Sequence, residues 1–338
     1  MSWTPALVRS ANGGHVSLGH VDVDDYLEFV AARTRPNTLL AVAYDLKVFF
    51  TVVSKEPALV STRDVLRFLK QQRVPRRGRG VVRLEDGEAG LSARTIKRRL
   101  TSISGLFEYL RLRGDAGVEV NPVPGGIATR RGGGRGRSVP VLRTSRTLPR
   151  VLSPWEVDAF LAALRTDRDR ALVEAMLLGG LRRCEVLGLD LADVRVGEKR
   201  VFVRQGKGGH QRLVPVSPRF FGTLGRYLEA ERPGTDATRV FLVLKGPRRG
   251  QPLSAAGMDE ILRGASARSG VGATCHQFRH TCLTRLREAG MALEAVQAQA
   301  GHRSVESTRI YLHLANGWLE AEYRRALDVL EIPSVGQR

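Results

Sequence analysis

The strongest constraint on this chain is an interruption in its middle. Residues 121–150 read "NPVPGGIATRRGGGRGRSVPVLRTSRTLPR", where Gly, Pro and Arg dominate and neither a helical stripe nor a strand alternation persists. Such a stretch cannot cross a core, so the residues on either side must build cores of their own. A chain of 338 residues, at roughly 100–200 per domain, suits two domains. The sequence divides into a tail (1–20), a first domain (21–115), a Gly/Arg/Pro-rich linker (116–150), a second domain (151–332) and a closing tail (333–338). Hydrophobic residues, at 42%, suffice for two cores. No window reaches the roughly 18 consecutive apolar residues of a membrane span, so no membrane partner is expected. The opening "MSWTPALVRSANGGHV" carries no apolar h-region, so no secretory leader is expected. Cys184, Cys275 and Cys282 are odd in number and lack metal-type spacing, which fits a reduced, cytoplasmic protein.

The first half reads as helices. "VDVDDYLEFVAARTR" opens on Asp residues and spaces Tyr26, Phe29 and Val30 helically. "PNTLLAVAYDLKVFFTVV" begins with Pro36 and lines up Leu39, Leu40, Ala43, Leu46 and Phe50. "STRDVLRFLKQQR" pairs Ser61 with Asp64, a variant of the capping box. "SARTIKRRLTSISGLFEYLRLRG" runs from Ser92 to a stop at Gly114. "VPRRGRGVVRLEDGEAG" between the last two is expected to be a loop or short hairpin.

Charge narrows the class of partner. A net charge of +20 and a pI near 11.0 exceed what solubility requires and point to a polyanion. The basic residues are spread along the chain, and neither a lipidation motif nor a basic interfacial helix suggests a membrane surface. Double-stranded DNA is the expected partner. Lys97, Arg98 and Arg99 of the fourth helix are candidate phosphate contacts, as are Arg130, Arg131, Arg135 and Arg137 of the linker. A helix carrying such residues also has the ordinary reading of a solvated face.

The second half mixes helices with a small sheet, so the chain as a whole is expected to be mainly α with a small β-sheet (α+β). "SPWEVDAFLAAL" carries a full capping box, Ser153 with Glu156, and Pro154 at the first helical position. "DRDRALVEAMLLGG" has the all-round apolarity of a buried helix. "RVFVRQGKGGHQRLVPV" alternates about a glycine-rich turn, the pattern of a hairpin, and "RVFLVL" is a further strand candidate. Helices return from Ser254 onward.

Charged and polar residues fall at the breaks between these elements. Arg182 follows a double glycine in "GGLRRCEVLGL", and Lys207 sits at the hairpin tip. His276 and Arg279 share a helix face in "CHQFRHTCLTRL". His302 follows a glycine in "GHRS", and Tyr311 lies in "RIYLHL". Singly, each has an ordinary reading: a local ion pair, a solvated turn, a capping histidine, a core tyrosine. His276 and His280, four residues apart, have the spacing of a metal face, but no acidic or thiol partner is suitably spaced, so no metal and no cofactor are expected.

In this order the residues, with the blocks "GLRRCEVLGL", "GKGGHQRLVPV", "HQFRHT" and "AGHRSVESTRIYLH", resemble the tyrosine recombinase (phage integrase) family over residues 150–330. The family pattern of Arg, Lys, His-x-x-Arg, His or Trp, then Tyr falls on Arg182, Lys207, His276, Arg279, His302 and Tyr311. Cys184, where many relatives carry a small polar residue, is a departure that touches none of these. The resemblance implies a helical SAM-like core-binding domain and a catalytic domain that cuts and rejoins DNA through a 3′-phosphotyrosyl link, with strand exchange via a Holliday junction. It also implies a homotetramer on two DNA sites, weakly associated off DNA, a bacterial mobile-element setting at the nucleoid, and an accessory or directionality protein.

The chemistry needs these residue types. A phosphodiester is anionic, so two guanidiniums, Arg182 and Arg279, neutralise it and hold the extra charge of the pentacoordinate transition state. A phenol titrating near ~10 must lose its proton as Tyr311 attacks, and His276 is the expected base or proton shuttle. By the resemblance, Lys207 protonates the leaving 5′ oxygen and His302 aligns the phosphate. Glu185 is expected to orient Arg182, with the surface-helix reading equally open; His210, His280 and His313 are candidate supporting groups. Rival readings are a type IB topoisomerase, a catalytically silent DNA-binding accessory protein, and a metal-dependent nuclease, which would need clustered carboxylates.

Overall fold

A computed structural model describes residues 3–10, 15–74, 90–125, 127–128, 138–139, 149–204, 211–302, 308 and 311. The chain divides into two units, Met1–Arg146 and Thr147–Arg338, each with its own apolar core. Their boundary falls inside the stretch that the sequence marks as unable to build a core.

The first unit opens with two short antiparallel strands, β1 (Val8–Arg9) and β2 (Val16–Ser17). Helices follow: α1 (Val21–Arg33), α2 (Pro36–Val53), α3 (Thr62–Gln72) and α4 (Ala93–Arg113). Each begins where the sequence offers a start signal. Asp22 and Asp24 face the positive end of α1, and Pro36 opens α2. Ser61 and Asp64 cap α3 reciprocally, and Ser92 accepts a bond from the Thr95 N–H at 3.2 Å to begin α4. The core is aromatic. Phe49 meets Phe50, Phe68 and Phe107 edge-on, at 5.0, 5.2 and 6.3 Å. Helix α2, with 18 residues and a mean hydropathy of 1.2, has the length and composition to cross a membrane. Its Leu39, Ala43, Leu46, Phe49, Phe50 and Val53 are instead buried in this core, which accounts for its apolarity.

Two boundaries expected from sequence are corrected here. Residues 1–20 are not a bare tail: Val16 and Leu18 are buried, and the Trp3 indole donates to the Leu18 carbonyl at 3.2 Å and lies 4.9 Å from the Phe50 ring. The Asp24 carboxylate gathers the Leu18 and Gly19 N–H groups at 2.6 and 3.1 Å, tying the segment to the start of α1. Strands of two residues are too short to display alternation, so the sequence conceals them. The linker also starts later than residue 116. Ala116, Val118 and Val123 pack on the first core, and the Asn121 amide donates to the Ser104 carbonyl at 3.0 Å. Farther on, β3 (Ile127–Ala128) pairs antiparallel with β4 (Ser138–Val139).

The second unit is built around α6 (Asp167–Gly179), which follows α5 (Pro154–Ala162) with its Ser153–Glu156 capping box. Ala171, Leu172, Val173, Ala175 and Met176 are successive or nearly so and all buried, as the apolar run predicts. After the five-residue α7 (Arg183–Leu187) comes a three-stranded antiparallel sheet of β5 (Val194–Arg195), β6 (Arg200–Val203) and β7 (Arg212–Pro215), in that order. Register sets Val201 opposite Val214 and Val203 opposite Arg212. Helices α8 (Pro218–Arg226), α9 (Ala255–Ser269), α10 (Cys275–Glu288) and α11 (Leu293–Ala300) complete it. "RVFLVL" is corrected from a strand to an extended segment with isolated bridges, Asp190 to Arg239 and Leu242 to Pro252. Scattered backbone bonds, such as Val240 N–H to the Leu189 carbonyl and Val243 N–H to the Gln251 carbonyl, both at 2.9 Å, are joined by one side chain. The Tyr227 hydroxyl donates to the Val240 carbonyl at 3.0 Å and accepts from the Leu242 N–H at 3.1 Å.

Candidate active site

The site begins at the turn after α6. Gly180 ends that helix at φ 65°, and a Cβ there would stand 3.1 Å from Leu283 Cδ2 on α10. The turn delivers Arg182 to the start of α7. Its backbone N–H donates to Glu185 Oε2 at 2.9 Å, and its guanidinium to Glu185 Oε1 at 2.8 Å and the Gly301 carbonyl at 3.1 Å. Glu185 is buried, not a surface helix residue. Arg212 of β7 grips the same carboxylate from the other side, at 3.0 and 2.9 Å. Burial alone would raise the Glu185 pKa; the bonds and charges of Arg212 and Arg182 outweigh it and hold the group below its ordinary value.

Arg279, on α10, is 3% exposed. It donates to the carbonyls of Gly180 and Ala300, the latter at 2.6 Å, contacts His302 Nε2 at 3.2 Å, and lies 4.0 Å from Glu185. Burial, then the neighbouring Arg182, draws its pKa down to about 10, so it remains charged at neutral pH. His302 follows the C-terminus of α11. Because Nε2 accepts from Arg279, Nδ1 carries the proton and donates to Thr308 Oγ1 at 3.0 Å, a tautomer assigned from the bonds.

Tyr311 is 1% exposed, packed with Leu283, Val296 and Ala300. Its ring stacks on His302 with centroids 6.2 Å apart and planes 8° from parallel. The phenol contacts His280 Nδ1 at 3.0 Å. Burial pushes Tyr311 up to about 12, against the opposing charge of Arg279, while burial, then His276 and Arg279, brings His280 down to about 4. A weak acid facing a weak base keeps its proton, so at neutral pH the phenol donates to a neutral imidazole. His276, the expected base, is exposed at the first turn of α10, its ring 5.7 Å from that of His280. In this structure the phenol's immediate partner is therefore His280, which the sequence suggested only as a supporting group.

Lys207 and His210, at the hairpin tip, lie outside the described residues, as do Arg130, Arg131, Arg135, Arg137 and His313. On α4, Lys97 is exposed, whereas Arg98 reaches Asp45 at 2.6 Å and Arg99 turns inward to Gln72 and, at 3.7 Å, Asp45. The basic triplet is thus not one solvated face: Arg99 is spent on the unit's own buried carboxylate. Sequence reasoning passed over Arg212 and Gln299. Arg212 did leave a signal, since strand alternation puts it on the face of the buried Val214, where a charge requires a partner.

Residues 150–317 match the phage integrase family. The chain is 30% identical over 292 residues to tyrosine recombinase XerC of Chromobacterium violaceum, covering 86% of this chain and 88% of that protein. The chain belongs to the tyrosine recombinase family. Tyrosine recombinase XerD of Mycobacterium tuberculosis is 33% identical over 243 residues, covering 67% of this chain and 72% of its own length. Among solved structures, a XerH site-specific recombinase bound to palindromic difH substrate superposes with a TM-score of 0.65 at 20% identity, covering 87% of this chain and 81% of that one. The Tn1549 transposon integrase in complex with a circular intermediate DNA gives 0.64 at 20%, covering 89% and 98%. These two likenesses establish the tyrosine recombinase fold for the chain. As a tyrosine recombinase it is a DNA strand transferase.

Proposed function

We propose that this chain is a site-specific DNA recombinase of the integrase or transposase type, with Tyr311 as nucleophile. Supporting this reading is an unbroken line of contacts from phenol to guanidinium: Tyr311 stacks on His302, His302 bonds Arg279, and Arg279 neighbours Glu185, which holds Arg182. Arg182 and Arg279 bind the two non-bridging oxygens. As Tyr311 Oη forms its bond to phosphorus, the phenol proton passes to the histidine pair His280 and His276. The bond from phosphorus to the 5′ oxygen breaks, and Lys207 protonates the departing oxygen. The phosphotyrosyl link keeps the energy of the broken ester, so a 5′-hydroxyl from another strand reverses the step and joins new partners. The charge of Arg279 and Arg182 opposes the effect of burial on Tyr311 and so favours loss of its proton.

The substrate is double-stranded DNA, bound by a homotetramer on two sites, with the chain acting in the bacterial cytoplasm. The similar structures named above are themselves described as bound to DNA. The direct assay incubates the protein, in EDTA, with a pool of nicked duplexes carrying random sequence around the nick. A denaturant-stable protein–DNA adduct that Tyr311→Phe abolishes is the expected result. Cleavage that requires a divalent metal and leaves no adduct would overturn the proposal, and relaxation of arbitrary supercoiled plasmid by a lone monomer would replace it with a topoisomerase.

A further inference from the structure

Arg212 belongs to no part of the mechanism above, yet it bonds two segments beside the residues that carry it, α7 and the end of α11. Its guanidinium grips both oxygens of Glu185, at 3.0 and 2.9 Å, and its Nε donates to the Gln299 carbonyl at 3.3 Å. Gln299 is buried at the end of α11, and its amide donates to the Gly179 carbonyl at 2.9 Å and the Pro215 carbonyl at 3.0 Å. The turn after α6, strand β7 and the end of α11 are thereby pinned together, and Arg182 and His302 follow directly on the first and the last of them. The fit is close. Gly301 stands at φ 59°, and a Cβ there would come within 2.9 Å of Arg212 Cζ.

The charge arithmetic gives the contact its meaning. A buried carboxylate facing only Arg182 would cancel the positive charge that Arg182 must offer a phosphate. Each oxygen of Glu185 is instead shared: Oε1 takes both guanidiniums, and Oε2 takes the Arg182 backbone N–H and Arg212. Resting on the functional reading above, we propose that Arg212 is a positioning residue: it occupies Glu185 as a second cation, so that the carboxylate orients Arg182 without neutralising it.

The test compares two substrates. Adducts captured from the random nicked pool are sequenced to fix the cleaved bond, and that duplex is then made with either a normal phosphodiester or an uncharged methylphosphonate at the bond. Under single-turnover conditions with saturating duplex, Arg212→Gln should slow adduct formation on the phosphodiester by about 10- to 100-fold, the scale for residues that orient a functional group from behind. Duplex affinity should change much less. Arg212→Lys, which keeps the charge without the fork, should recover most of the rate. On the methylphosphonate, which asks less of Arg182, the gap between wild type and Arg212→Gln should shrink severalfold. An equal loss on both substrates would mark Arg212 as structural only, and no loss on either would dismiss it altogether. If Arg212→Gln melts below the assay temperature, the comparison of both substrates is run on it below its melting point: a narrower gap on the methylphosphonate supports the proposal and an equal gap overturns it. A wild-type protein that forms no adduct with any duplex would sink the functional reading itself, and this inference with it.

Discussion

At the scale of single residues, the site is a set of charges and neutral groups held in unfavourable surroundings for a purpose. Burial first, with neighbouring arginines after it, lowers the pKa of His302 to about 4, and His280 falls to the same level. Both are therefore neutral in the fold at pH values where an unfolded imidazole, near ~6.5, takes up a proton. Between these values the unfolded chain binds more protons, so stability is complete above pH ~6.5 and is lost as pH falls toward about 4. Calorimetry from pH 7 to pH 4 should show the second unit's transition dropping, and replacing both histidines by Asn should flatten that dependence. The six motif residues could be picked out because their order and the blocks around them carry a family pattern, even where, as for Arg279, the residue lies within a helix. His280 was read only as a supporting group and Arg212 was passed over, since each acquires its contact from a partner far along the chain: Tyr311 for one, Glu185 for the other. Arg99 was misread for the same reason, as nothing in its own helix announces Asp45.

At the scale of elements, the helices could be read because their signals are local: caps, prolines, stopping glycines and apolar spacing. Ser61 with Asp64 and Ser153 with Glu156 form the reciprocal caps their spacing promised. The misjudged elements were the ones that depend on distant partners. β1 and β2 hold together because Asp24 and Trp3 secure them, and the backbone of "RVFLVL" is satisfied piecemeal, by Leu189, Gln251 and Leu253 and by the Tyr227 hydroxyl, not by one partner strand. The turn at Gly180 is the element on which the site most depends: its carbonyl receives Arg279 and its left-handed backbone launches Arg182. Gly180→Ala should cost about 1–2 kcal/mol in backbone strain alone, with crowding against Leu283 added to it. Urea denaturation measures this, and adduct formation should fall further than the stability loss explains, because both arginines are displaced together.

At the scale of the whole molecule, the chain divides into two units within the break in the middle of the sequence, and the first takes in more residues on both flanks than periodicity suggested. The net charge of +20 makes DNA association a matter of counterion release. Log affinity should fall steeply and linearly with log salt, and Lys97→Ala should reduce that slope by roughly 1, as the loss of one phosphate contact does. Arg99→Ala should leave the slope alone and weaken the fold instead, since that side chain serves Asp45 and Gln72.

The central claim is that the phenol of Tyr311, stacked on His302 beside two buried-side guanidiniums, becomes the covalent link to DNA. Digesting the captured protein–DNA adduct and identifying the modified peptide by mass spectrometry tests it most directly. The account predicts a nucleotide 3′-phosphate on the peptide containing Tyr311, at that residue alone. A nucleotide attached to any other side chain would contradict it.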